Sequence, residues 1–218
     1  MILLLELYRY AQTRDELKDK ITFHPCGQKD SNSFDASRLL RVISYSNSFD
    51  LNNFLSIIRY FFLGANLSGA NFSGADLSGA NLSRANLSWS KLSVADLSRA
   101  DFSCADLIRS DLIRTDLSRA DLSRADLSDA NLSDADLSRA YFSSAHLTRT
   151  NLSGADLYRA YLRNANLSGA DLSRAKLWDA ELSEATNITP EQIKQAKNWD
   201  KAMYSPEFRE ELGLPPVN

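Results

Sequence analysis

Aspartate, serine and arginine recur along most of this chain, and these are residue types that can catalyse. Two carboxylates held close together can share acid and base roles. A serine beside a base can become a nucleophile. Here, though, Asp and Ser return every five residues, and nothing sets one pair apart from the rest. The only close His/Cys spacing is His24-Pro-Cys26, and Cys104 and His146 are far apart in the chain. A zinc site needs three or four convergent ligands, so no metal is expected. No nucleophile elbow, phosphate loop or HExxH motif occurs. The sequence therefore predicts no enzyme, no cofactor and no catalytic residue.

The spacing itself carries the information. From Ala65 to Glu184 the chain reads as 24 uninterrupted pentapeptides, from Ala65-Asn-Leu-Ser-Gly69 to Ala180-Glu-Leu-Ser-Glu184. The third position is Leu in 21 units and Phe in the others, Phe72, Phe102 and Phe142. The first is Ala in 20, with Ser90, Ser110, Thr115 and Thr150 as exceptions. The second is Asp in 11 and Asn in seven; the fourth is Ser in 18; the fifth varies, with Arg in ten.

A period of five fits neither common element. On an α-helix five residues advance about 500°, so the leucines make no stripe. On a strand an odd period sends alternate leucines to opposite faces. A coiled coil needs a mean spacing of about 3.5. A chain that bends equally every five residues does gather them, and stacked coils bury a continuous column.

The pattern A(D/N)LSX resembles the pentapeptide-repeat family over about 55% of the chain. That resemblance implies a mainly β fold, a right-handed quadrilateral parallel β-helix with four pentapeptides per coil. Leu or Phe and the small first residue would face inward. Six coils at about 4.8 Å would be about 29 Å long. The hydroxyls of Ser90, Ser110, Thr115 and Thr150 would then need backbone partners. Only 8 glycines in 218 residues suggest turns that keep φ negative.

Four units per coil stack residues 20 apart. One face would carry Asp76, Asp96, Asp116, Asp136 and Asp156 beside Arg99, Arg119, Arg139 and Arg159. Such columns read either as a self-neutralising ladder or as a charged docking stripe. Another face alternates Phe62, Leu82, Phe102, Leu122, Phe142 and Leu162, which suits packing. Apolar residues replace polar ones at the outward positions of Trp89, Val94, Ile108 and Ile113. Tyr141 stacks with Tyr161, and Tyr158 with Trp178. These eight form the candidate interaction surface, for the chain's own termini or for a partner.

Solenoid ends need caps. Thr189-Pro-Glu-Gln192 and Ser205-Pro-Glu-Phe208 open short helices, the second stopped by Gly213. Trp199, Tyr204, Phe208 and Leu212 are available to cover the last coil. Residues 1–64 lack clear repeats and suit three helices, at about 2–20, 35–46 and 52–62. The expected organisation is therefore a mostly helical cap or domain at 1–64, the repeats at 65–184 and a helical cap at 185–218.

The net charge of −3 argues against direct nucleic-acid binding. No run of about 18 apolar residues exists, and the N-terminal apolar run is too short for a signal peptide. The expectation is a cytoplasmic protein with no membrane contact. The leading function is a non-catalytic scaffold or protein-interaction module. Its partner is unknown, and the aromatic C-terminal end offers a homodimer contact. The resemblance also implies an alternative, a DNA mimic that binds DNA gyrase or topoisomerase. The repeats hold 16 acidic and 13 basic residues, closely mixed, which weakens that alternative.

Overall fold

A computed structural model describes residues 62–216. The helices expected within 1–64 and the His24/Cys26 pair lie outside the described residues. Within them the repeats form a β-helical solenoid, and its architecture follows from where each backbone N–H goes.

In the units of the inner coils three N–H groups reach a neighbouring coil. Leu67 donates to the Asn86 carbonyl at 2.7 Å, Gly69 to Ser88 at 2.9 Å, and Asn86 to Ala65 at 2.9 Å. The N–H of Ala70 closes a turn onto the Leu67 carbonyl at 3.0 Å. The fourth-position N–H has no backbone acceptor. It donates to the side chain two residues earlier, as Ser118 does to Asp116 Oδ1 at 2.9 Å. Every Asp and Asn at a second position accepts this bond. The short side chain that makes an Asx turn thus supports the corners where Asp or Asn stands, while Lys91, Tyr141, His146, Tyr161 and Lys176 occupy corners that turn without it. Asp116→Asn keeps the acceptor and should melt like the parent, whereas Asp116→Ala should cost about 1 kcal/mol in thermal or urea unfolding.

Second positions 20 residues apart pair in parallel, as in Asp76↔Asp96↔Asp116↔Asp136↔Asp156. Each 20-residue coil has four such rungs. The rungs are isolated bridges, not strands, because the turn consumes the fourth and fifth residues of every unit. The coils run 65–84, 85–104, 105–124, 125–144, 145–164 and 165–184. Faces 1 to 4 are named from the units beginning at 65, 70, 75 and 80.

The turns correct one expectation. Low glycine content suggested negative φ, but the fifth position is left-handed in nearly every unit, with φ of 60° at Arg119 and 62° at Val94. The turn places this residue third of four, where φ must be positive. Gly fills the site at 69, 74, 79, 154 and 169; elsewhere Arg, Asp and others bear the strain. No inward Ala or Leu adopts positive φ.

The core is a four-sided column. Leu77, Leu97, Leu117, Leu137, Leu157 and Leu177 are fully or almost fully buried on face 3. Face 4 buries Phe62, Leu82, Phe102, Leu122, Phe142 and Leu162. Three inward hydroxyls find backbone carbonyls: Ser110 on Leu107 at 2.7 Å, Thr115 on Leu92 at 2.9 Å and Thr150 on Leu127 at 2.9 Å. Ser90 departs from expectation, since its buried Oγ has no hydrogen-bond partner. Unlike Thr115 and Thr150, it does not reach back to the preceding coil.

The ladder continues past residue 184. Thr186 pairs with Asn166, Lys197 with Lys176 and Met203 with Glu181. Two of these rungs span more than 20 residues, because α1 (Pro190–Lys194) and a 3-10 turn (Trp199–Lys201) are inserted. Thr189 and Gln192 form the capping box of α1. Gln192 also donates to the Leu167 and Ala170 carbonyls, at 3.2 and 3.0 Å, and Ile193 is buried. Ser205 caps α2 (Pro206–Leu212), and Gly213 ends it at φ 76°. Tyr204 and Leu212 are buried, while Trp199 and Phe208 are half-buried. The Tyr204 hydroxyl donates to the Trp199 carbonyl at 2.7 Å, and burial, then the Asp200 charge, pushes its pKa up. Among the described residues no helix is long and apolar enough to cross a membrane.

Candidate interaction surface

The coil turns the second, fourth and fifth residues of each unit outward. A surface side chain is therefore placed by face and by coil. On face 3, Asp96, Asp116 and Asp136 run along one side, Ser98, Ser118 and Ser138 along the middle, and Arg99, Arg119 and Arg139 along the other. Together they line a shallow groove of about 710 Å³, bounded at one end by Tyr158.

The two columns share this face, yet no ion pair joins the three aspartates to the three arginines. Each Asp instead spends Oδ1 on its own turn. Three columns carry ion pairs where the charge changes sign between coils, and Arg163 reaches across from a fourth position to Glu184 at a fifth. Lys176 meets Asp156 at 2.8 Å, and Arg159 meets Asp179 at 3.2 Å. On face 1 Asp129 lies between Arg109 and Arg149, at 3.7 and 2.7 Å. Arg163 joins Glu184 at 2.7 Å. The Arg149 hydrogen bond holds the Asp129 carboxyl below its usual range, and Arg163 does the same to Glu184. A hydrogen bond from Lys176 to Asp156 raises the lysine's pKa. All these pairs are solvent-exposed, and such pairs are individually weak.

The apolar outliers fall into two groups. Trp89 and Ile108 are on face 1 of adjacent coils, where the Trp89 N–H donates to the Ile108 carbonyl at 2.9 Å. Val94 and Ile113 make the same link on face 2, at 2.9 Å. Trp89 is 58% exposed and Val94 63%, while Ile108 and Ile113 are half-buried. The Arg109 guanidinium sits 4.8 Å over the Trp89 ring. Val94 is the notable member. A β-branched residue at φ 62° is disfavoured, and it is strongly exposed as well. Sequence reasoning missed this strain because it missed the left-handed turn. The available signal was Val at a position otherwise filled mainly by Arg, Gly and Asp.

The second group lies toward the C-terminal coils. Tyr141 and Tyr161 stack on face 4 with centroids 4.9 Å apart and planes 4° apart. Tyr158 and Trp178 are neighbours on face 3, where the Arg159 N–H bonds the Trp178 carbonyl at 3.0 Å. Arg159 lies 5.0 Å over the Tyr158 ring. Met203, in the irregular last coil, adds an exposed apolar side chain that the repeat pattern does not reveal. Among the described residues no three His, Cys, Asp or Glu side chains could together hold a metal ion.

A family profile described as pentapeptide repeats matches in eight copies, over residues 62–99, 80–119, 100–139 and 140–179. Solved structures of similar chains include HetL, a pentapeptide repeat protein involved in heterocyst differentiation regulation from the cyanobacterium Nostoc sp. strain PCC 7120. It is 25% identical over 65% of this chain and 86% of its own, with a TM-score of 0.27. Rfr23 from the cyanobacterium Cyanothece 51142 is 27% identical over 63% of this chain and 95% of its own, with a TM-score of 0.32. Full-length QnrB1, a plasmid-mediated fluoroquinolone resistance protein, is 16% identical over 70% and 92%, with a TM-score of 0.30. No curated protein matches the chain.

Proposed function

Because the chain belongs to the pentapeptide-repeat family, we propose that it is a non-catalytic interaction module whose outward side chains dock a protein partner. The fold in this reading is a right-handed quadrilateral β-helix closed by its C-terminal helices, in a cytoplasmic protein. Val94 is the observation that carries it. A turn that accepts Gly at no steric cost holds a strained, exposed, β-branched residue instead. Strain of this kind costs about 1–3 kcal/mol and concentrates at functional positions. Ile113 adjoins it in the next coil, and Trp89 with Ile108 places a second apolar pair on the neighbouring face of the same two coils.

Cross-linking in host cells, followed by mass spectrometry, tests the reading. Cross-links from one partner protein should concentrate on coils two and three, on faces 1 and 2. Cross-links spread evenly over all faces would contradict it. A gyrase supercoiling assay separates the mimic alternative. Mixed charge predicts no inhibition and no protection from quinolones at micromolar chain, and either effect would favour the mimic.

A further inference from the structure

We propose that face 3 is a self-complementary contact for a second copy of this chain, packed side by side with the two-fold axis parallel to the solenoid axis. The inference deepens the interaction-module reading but concerns face 3, which adjoins face 2 at the Val94 corner and shares none of the four apolar residues of the Val94 surface.

The second-position column reads Asp96, Asp116, Asp136 and Asp156, then reverses to Lys176. The fifth-position column reads Arg99, Arg119, Arg139 and Arg159, then reverses to Asp179. Both reversals fall in the same coil. Each of the five rungs therefore carries opposite charges on its two sides.

A two-fold axis along the solenoid exchanges left and right while leaving every rung at its own height. Asp116 of one copy then faces Arg119 of the other, and Lys176 faces Asp179. All five rungs match, including the reversed one. A two-fold axis across the solenoid does the opposite and sets Asp against Asp. The charge pattern thus selects parallel over antiparallel packing, because like charges placed in opposition are costly.

The middle column lies on that axis and meets its own copy. It is Ser98, Ser118 and Ser138, then Tyr158 and the exposed Trp178. An aromatic patch flanked by charges has the anatomy of an interface core and rim. Five rungs are four spacings of about 4.8 Å, about 19 Å in all, which holds the buried area at the low end for a stable interface. The dimer is accordingly weak, and salt weakens it further.

Sedimentation equilibrium of the full chain at low salt, up to about 1 mM, tests this. The expected result is a concentration-dependent dimer that dissociates as salt rises. Arg119→Asp should weaken it about tenfold or more, because each change acts twice in a symmetric pair. Adding Asp116→Lys to Arg119→Asp should restore it, since the swapped rung is complementary again. The fold accepts these residues, with Lys91 at a second position and Asp129 at a fifth, and melting curves check each variant. Trp178→Ser with Tyr158→Ser should give a monomer. A monomer throughout the low-salt series would overturn the proposal, as would a dimer that the double charge swap fails to restore. Either result leaves the Val94 surface standing, because none of the substituted residues belongs to the Trp89, Val94, Ile108 and Ile113 group.

Discussion

Leu117→Asp should abolish cooperative unfolding of the central coils. Leu117 is fully buried in the face-3 column between Leu97 and Leu137, and its N–H donates to the Asp136 carbonyl of the next coil at 2.8 Å. The buried core residues are leucine, phenylalanine and alanine with a few hydroxyls such as Thr115, and among the described residues no buried cation is there to meet an inward carboxylate. An unpaired buried charge costs about 3–5 kcal/mol or more, a large part of the roughly 5–15 kcal/mol that holds a domain together. Coils are stabilised by their neighbours, so a break in coil three also removes support from coils two and four. Circular dichroism during urea titration should show the main transition lost or split, whereas Leu117→Met should shift it by less than about 1.5 kcal/mol. A parent-like transition for Leu117→Asp would mean that the side chain is not inside.

Phe102→Ala should cost about 3–5 kcal/mol. Phe102 is fully buried on face 4 between Leu82 and Leu122, and the column places Phe on every second rung from 62 to 142. Removing the ring leaves a cavity that the stacked backbone cannot close, because the ladder hydrogen bonds set the coil height. Phe102→Leu should be much milder, since Leu already serves this slot at 82 and 122. Leu122→Phe should cost about 1–3 kcal/mol, because it puts three rings in consecutive coils. Chemical denaturation of the three variants checks the order. Equal midpoints would contradict a rigid alternating column.

The inward half of the structure was legible because the core admits few solutions. Leu or Phe at every third position and Ala at every first specified the period, the stacking and the burial. The outward half was less legible because one residue type served purposes the period does not distinguish. Asp116 reads as a surface charge, yet its Oδ1 is a structural acceptor for Ser118. Arg119 reads as an ordinary exposed cation, yet its backbone is left-handed. Adjacent Asp and Arg columns suggested pairing across the face, whereas pairs form where a column changes sign, as at Lys176 and Asp156. Ser90 resembles Ser110 in sequence, but only the Ser110 hydroxyl makes a hydrogen bond. The last coil escaped the pattern because α1 and a 3-10 turn interrupt it, although Lys197 and Met203 still pair with the ladder. The eight outward aromatic and aliphatic residues were visible as departures from the repeat, but Val94 gains its meaning only from its φ.

Binding of the partner identified by cross-linking to a variant with Trp89→Gly, Val94→Gly, Ile108→Ser and Ile113→Ser tests the interaction surface most directly. Each substitution restores a residue common at that repeat position, and both glycines enter turns with positive φ. The variant should melt at or above the parent temperature and lose affinity by about tenfold or more. Undiminished affinity in a folded variant would contradict the assignment of this surface.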